Sequence, residues 1–166
     1  MLTVRKAAAN DGLDVYQFLR ELPANENGFI NSAAGKTYAE YQIWLKGIVA
    51  NAEQQGIVDG WKVPQSTYWL YLEDQPIGYG KIRHFLTESL KESGGHIGIS
   101  IHPDYRGKGY GKAFLTLLIE ECRTLGIEDL LCTIRNENRA SIQMALACGG
   151  ILDRVTDERH YIKICL

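Results

Sequence analysis

The 166 residues contain no apolar run near the ~20 positions that a membrane-spanning helix requires. The opening Met-Leu-Thr-Val-Arg-Lys also lacks the long apolar core of a signal peptide. The reading is a cytoplasmic chain with no membrane partner. Cysteine is sparse, at positions 122, 132, 148 and 165, with no Cys-x-x-Cys pair, which excludes the common redox and thiolate-metal motifs. Their apolar neighbours, as in Leu131-Cys132 and Ile164-Cys165, predict reduced packing residues and no metal site. Positive charge is not in excess: 18 Lys and Arg face 20 Asp and Glu, and no long basic stripe exists, so nucleic acid is not expected as a partner. Repeats and low-complexity tracts are absent. What remains is 45% apolar and 23% charged, the balance of an ordinary globular protein, and we read residues 1–166 as one domain.

Hydrophobic periodicity orders the elements. Leu2 to Ala7 reads as a strand, and Asn10 or Asp11 as the cap of a helix that Pro23 ends. Residues 24–37 are rich in Asn, Gly and Ser and read as a loop, after which Tyr38, Tyr41, Trp44, Leu45 and Ile48 return at helical spacing. Thr67 to Glu73 and Ile77 to Phe85 form a hairpin turned by Asp74-Gln75-Pro76. After a polar stretch from Thr87 to Gly95, His96 to Ile101 alternates as a strand that Pro103 stops. Gly109 to Leu125 is the clearest amphipathic helix, ended by Gly126. A strand (Asp129 to Ile134), a shorter helix (Asn138 to Cys148) and a final strand pair (Ile151 to Val155, Arg159 to Ile164) follow. This order predicts an α/β (α+β) fold, a mixed sheet with helices on both faces.

One junction carries chemistry. In His-Pro-Asp-Tyr-Arg-Gly-Lys-Gly-Tyr-Gly-Lys-Ala-Phe, residues 102–114, a strand ends, glycines recur at 107, 109 and 111, and a long helix starts at once. Such glycines let successive backbone N–H groups converge on phosphate at the positive end of a helix. A Walker A loop is excluded because Ala113 stands where Ser or Thr is required, and a dinucleotide fingerprint fails at Lys112 and Phe114.

The loop does match Q/R-x-x-G-x-G/A, with Arg106, Gly109 and Gly111 in the fixed places. Together with the preceding strand, Pro103, and Asn138-Arg139-Ala140-Ser141 before a short helix, it resembles the GNAT acetyltransferase superfamily. It is similar in particular to a bacterial branch with G-G-H-I-G-x-S-I-x-P before the loop, here Gly94 to Pro103, and the likeness extends from about Tyr68 to the carboxyl terminus. The resemblance implies a mostly antiparallel sheet of about six or seven strands whose central strands splay around acetyl-CoA. It also implies acetyl transfer to a primary amine on a small molecule or peptide, and the homodimer common in that family. Ile99, Ser100 and Ile101 would line the pantetheine arm; Arg106, Gly107, Lys108, Gly109, Tyr110, Gly111 and Lys112 would hold the phosphates, and Asn138 and Ser141 would contact the cofactor.

Transfer from a thioester requires a neutral amine, donors for the oxyanion and departure of a thiolate. His96, ten positions before Arg106, lies near the place where some relatives carry a base and is the catalytic candidate, ahead of His84, Glu88 and Glu92. Many relatives carry a thiolate-protonating Tyr seven positions after the Asn, but here that residue is Ala145. Tyr110, Tyr161 and Cys148 stand as substitutes, but at strand or helix spacing each reads more often as packing and none is assigned a catalytic role. Glu26, Phe29, Tyr41 and Trp44 are candidates for the acceptor wall. The alternative function is a non-catalytic acyl-CoA-binding or sensing module.

Overall fold

The computed structural model describes residues 1–57 and 62–166. The chain opens with strand β1 (Leu2–Lys6) and helix α1 (Leu13–Glu21), makes a small hairpin of β2 (Asn25–Glu26) and β3 (Phe29–Ile30), and returns in helix α2 (Tyr38–Asn51). Next come β4 (Gln65–Leu72), β5 (Gln75–Arg83), the short helix α3 (Glu88–Glu92) and β6 (Ile97–Ile101). Helix α4 (Tyr110–Thr124), β7 (Asp129–Arg135), α5 (Arg139–Ala147), β8 (Ile151–Val155) and β9 (Arg159–Cys165) complete it. Apart from the small hairpin, the strands form two sheets, ordered β1-β4-β5-β6 and β7-β9-β8. The expectation of a mixed sheet sharpens: every ladder among the described residues is antiparallel.

The aromatic run in β4 is continuous because both of its faces are covered. Trp69 and Tyr71 pack with Val15, Phe18 and Leu19 of α1 and Tyr41 and Leu45 of α2. Tyr68 and Leu70 point the other way, into the cluster of Phe114, Leu115 and Leu118 from α4. Helices therefore lie on both faces, as the pattern predicts. Helix α4 approaches β5 closely because β5 presents glycine there. A Cβ on Gly80 would stand 2.7 Å from Phe114 and 2.8 Å from Leu118, and one on Gly78 would meet Leu70 at 2.9 Å.

Three local readings change. The segment 24–37 is not all loop, since Asn27 and Gly28, both at positive φ (52° and 84°), turn the β2–β3 hairpin. Asn-Gly is the pair such a turn favours, but strands of two residues leave no periodicity to recognise. Asp11 does not cap α1, whose N-cap is Gly12 without a side-chain bond. Its carboxylate instead accepts hydrogen bonds from the Ala8 N–H and Trp69 Nε1, each at 2.8 Å, tying the β1–α1 turn to β4. The β4–β5 turn is also tighter than expected: Leu72 pairs with Gln75, Glu73 takes φ 53°, and Pro76 is accommodated where the register shifts after Leu70.

Because Phe114 and Leu118 occupy the space above Gly80, we expect Gly80→Val to destabilise the fold by about 1–3 kcal/mol, read as a lower urea midpoint at unchanged slope. A neutral effect would mean that α4 does not rest on β5.

Candidate active site

The two sheets touch through one short joint. Gly94 and Gly95 hold φ of 129° and 66°, and a Cβ on Gly95 would lie 2.6 Å from the Leu131 carbonyl oxygen, so only glycine lets β6 approach β7 there. At the next residue the backbone changes partner. The His96 N–H donates to the Leu131 carbonyl across the joint (2.9 Å), while the His96 carbonyl accepts from Arg83 of β5 (2.7 Å). The His96 ring completes the clamp, its Nδ1 accepting the Leu131 N–H at 3.0 Å. Past this point β6 and β7 share no ladder and the sheets part.

The parting leaves β6 with a free edge. Antiparallel hydrogen bonds alternate along a strand. Because the His96 carbonyl and the His102 N–H both serve β5, residues 98 and 100 do likewise, and Ile97, Ile99 and Ile101 turn their backbone groups outward. The Ile101 carbonyl is already taken by Arg106 Nε at 2.9 Å. Of the strand residues expected to meet a ligand, Ile99 thus offers the free backbone; Ser100 lines the same cleft with its backbone turned to β5.

This edge runs into the glycine loop. His102 caps a 3-10 turn, Pro103–Tyr105, through Nδ1 accepting the Asp104 N–H (3.1 Å), and its Nε2 meets Glu21 at 2.5 Å. Gly107 and Gly109 then adopt φ of 74° and 86°, and a Cβ on either would meet nothing within 4 Å, so the cradle is open. Gly109 is the N-cap of α4 and supplies no side-chain bond, which leaves the first-turn N–H groups for an anion. Gly111 serves packing, its Cβ position lying 3.2 Å from Met144 Sδ of α5. Arg106 is not free: besides Ile101 it binds Glu26 at 2.7 Å, joining the glycine loop to the β2–β3 hairpin. Lys108 lies over Tyr105, 5.6 Å from the ring centroid, and Lys108 and Lys112 stand outside the cleft lining.

Together these parts line one cleft of about 780 Å³. Asn138 caps α5, its side-chain oxygen accepting the Ser141 N–H at 3.4 Å, and both residues face the cleft. So does Ala145, leaving no hydroxyl at that position. On the other side stand Phe29, Ile30, Lys81 and Arg83. Cys132 reaches the wall, but burial first and Cys148 second push its thiol up to about 12, so it stays protonated.

Several candidates lie elsewhere. His96 is outside the cleft lining and only 8% exposed; burial, then the Arg83 charge, lowers its pKa to about 4. With Nδ1 accepting, its neutral ring carries the proton on Nε2, so at pH 7 it holds the joint rather than waiting for a proton. Tyr41 is fully buried, its hydroxyl donating to the Asp11 carbonyl (2.9 Å), and Trp44 Nε1 donates to Ser32 (2.9 Å). His84 meets Ser66, Glu92 holds Arg154, and Glu88 binds Lys91. Tyr161 donates to the Glu92 carbonyl (2.7 Å), while Cys148 lies near Thr116 at 3.7 Å; of the three thiolate-acid substitutes only Tyr110 lines the cleft. Lys81 and Arg83 were missed because they sit in what reads as the polar positions of a half-buried strand.

A split antiparallel sheet with a glycine phosphate loop at the parting strand defines an acyltransferase-type fold. The chain belongs to the acetyltransferase (GNAT) family, whose model matches residues 30–149. It is 33% identical over 54 residues to the L-amino acid N-acyltransferase MnaT of Escherichia coli, covering 32% of this chain and 31% of that protein. It is 30% identical over 92 residues to a ribosomal-protein alanine N-acetyltransferase of the same species, covering 55% and 61%. The matched segments thus span between a third and three-fifths of these curated relatives. The fold is similar over 100% of the chain, at TM-score 0.67 and 17% identity, to 99% of the GNAT acetyltransferase of Streptococcus pneumoniae. It is also similar, at 0.65 and 21% over 99% of the chain, to 88% of the phosphinothricin acetyltransferase of Sinorhizobium meliloti in complex with AcCoA.

A histidine whose folded pKa lies near 4, against about 6.5 unfolded, binds its proton more readily in the unfolded chain. Stability is therefore full above pH 6.5 and lost as pH falls toward 4. We expect His96→Asn, whose Oδ1 keeps an acceptor for Leu131 but does not titrate, to flatten that acid slope in urea titrations. An unchanged slope would remove His96 from the joint.

Proposed function

We propose that this chain transfers the acetyl group of acetyl-CoA to a primary amine by direct attack within a ternary complex. The observation that carries the reading is the continuity of one cleft along the free edge of β6 into the open glycine cradle at the start of α4. The fit is chemical as well as spatial. Ile97 and Ile99 offer unpaired N–H and C=O groups to an amide-bearing arm, as an added strand would use them. The N–H groups around Gly107 to Gly111 offer donors to a diphosphate, and Asn138 and Ser141 stand beside the arm. When bound, acetyl-CoA supplies the activated acyl group. The chain's own contribution is to hold it extended and admit the amine from the Phe29 side.

That no partnered nucleophile lines the cleft among the described residues supports direct transfer. Cys132, the thiol on the cleft wall, is held protonated by burial. Transfer leaves a thiolate with a reference pKa near ~8.5, a good leaving group without a dedicated acid, which accommodates Ala145. An alkyl ammonium, near ~10.4, must lose a proton before attack. His96 is turned away from that task, so water in the cleft receives the proton. The cellular setting in this reading is the cytoplasm, where four unpaired cysteines stay reduced.

The alternative, an acyl-CoA-binding module without turnover, draws on Ala145. One experiment separates the two. Saturating acetyl-CoA at ~100 times its dissociation constant should raise stability by about 2.7 kcal/mol under either reading, and Gly109→Glu should abolish the shift while the free variant still melts cooperatively. Incubation with acetyl-CoA and an amine panel should yield an acetylated product by mass spectrometry, with His96→Asn retaining the wild-type pH profile. A thermal shift without any acetylated amine would decide for the binding module, and no shift would reject both.

A further inference from the structure

The acceptor side of the cleft is built for negative charge. Strand β5 alternates, so Gly78, Gly80 and Ile82 lie under α4 while Tyr79, Lys81 and Arg83 point to the opposite face, beside the β2–β3 hairpin. Lys81 Nζ donates to the Ile30 carbonyl at 2.5 Å and lies 4.5 Å from the Phe29 ring centroid and 5.0 Å from that of Tyr79. Arg83 Nη1 donates to the Gly95 carbonyl at 2.9 Å. Neither cation forms an ion pair with a described carboxylate. Both keep further N–H donors, three in all on an ammonium and five on a guanidinium. Arg135 and Arg159 extend the positive wall, and the carboxylate among the described lining residues, Glu26, is occupied by Arg106.

Two adjacent, half-buried cations without a counter-ion among the described residues are costly unless a ligand supplies one. The cost is visible in Lys81, whose pKa falls to about 8 through burial first and the Arg83 charge second. The phosphate cradle does not account for them. Lys81 is in register with Gly98, and Arg83 lies still farther from Ile101, the residue after which the loop begins; Gly98 and Ile101 are about 10 Å apart along β6. A Cβ on Gly98 would meet the Phe29 ring at 3.2 Å, so this stretch of cleft lies against the hairpin and not the glycine loop.

We propose that Lys81 and Arg83 bind a carboxylate carried by the acceptor, which is therefore a free amino acid, amine and carboxylate in one small molecule. The proposal rests on the acetyl-transfer reading and names its substrate class. Lys81 acts as an ion-pair and hydrogen-bond donor, Phe29 walls the site, and the amine is left to face the thioester beside β6. The chemistry is attack of the amine nitrogen on the acetyl carbon, with the C–S bond breaking, the thiolate leaving and the ammonium proton passing to water.

The test compares free L-amino acids with their carboxamides and with the corresponding decarboxylated amines, each with acetyl-CoA. We expect kcat/KM for the preferred amino acid to exceed that for its amide by 10- to 100-fold, the usual weight of a hydrogen bond to a charged group. Lys81→Met should lose that preference while the thermal shift with CoA is unchanged, and Lys81→Arg should regain part of it. Amides or decarboxylated amines acetylated as well as the acids, or a Lys81→Met variant slowed equally on all, would overturn the carboxylate site and leave acetyl transfer standing. A preference for peptides with blocked α-carboxylates would overturn it too. A readout without turnover uses the product: N-acetyl amino acids added to CoA-saturated protein should raise Tm for wild type and not for Lys81→Met. Equal shifts for both proteins, or none for wild type, would count against the proposal even if no acceptor had been found.

Discussion

The architecture depends on how briefly β6 and β7 meet. A sheet of seven strands joined throughout would bury every backbone group in ladders and leave no site. Here Gly95 permits a close approach, His96 spans both sheets with its N–H, carbonyl and Nδ1, and the strands then separate. The separation creates a strand edge inside the molecule, flanked by packed helices, where unpaired N–H and C=O groups cost free energy unless a ligand takes them. Exposed edges are usually protected against unwanted pairing, whereas this one faces the cleft.

Other features follow from that parting. Helix α4 must begin where β6 ends, so its positive terminus faces the cleft, and the glycines at 78 and 80 let it press onto β5. The Arg106–Glu26 ion pair ties the glycine loop to the hairpin bearing Phe29, so the two ends of the cleft share one mechanical link. The acceptor end is electrostatically distinct. The glycine loop offers neutral backbone donors, while Lys81 and Arg83 bring half-buried cationic side chains to the cleft. Under the proposed reading, such a division would let the cleft take two anionic groups at opposite ends without placing them in one field.

The elements with strong periodicity were legible in the sequence: the amphipathic face of α4, the two-sided apolar run of β4, and the alternating β6. The glycine loop between β6 and α4 was legible too, because positive φ at 107 and 109 favours glycine. What escaped was set by tertiary contact. The β2–β3 hairpin is too short to show a period, and Asp11 looks like a helix cap until Trp69 is placed beside it. His96 has the residue type and position expected of a base, and only the Leu131 N–H on its Nδ1 shows that it belongs to the joint. Lys81 reads as a solvent-facing strand residue until Phe29 and Ile30 are folded over it.

In the proposed reading the free edge of β6 seats the acetyl-CoA arm. Residue-resolved amide hydrogen exchange with and without acetyl-CoA tests it most directly. We expect slowed exchange at Ile97, Ile99 and the amides from Gly107 to Gly111, with the amides of β8 and β9 unchanged. Unaltered exchange at Ile99 under saturating ligand, with protection concentrated elsewhere, would contradict it.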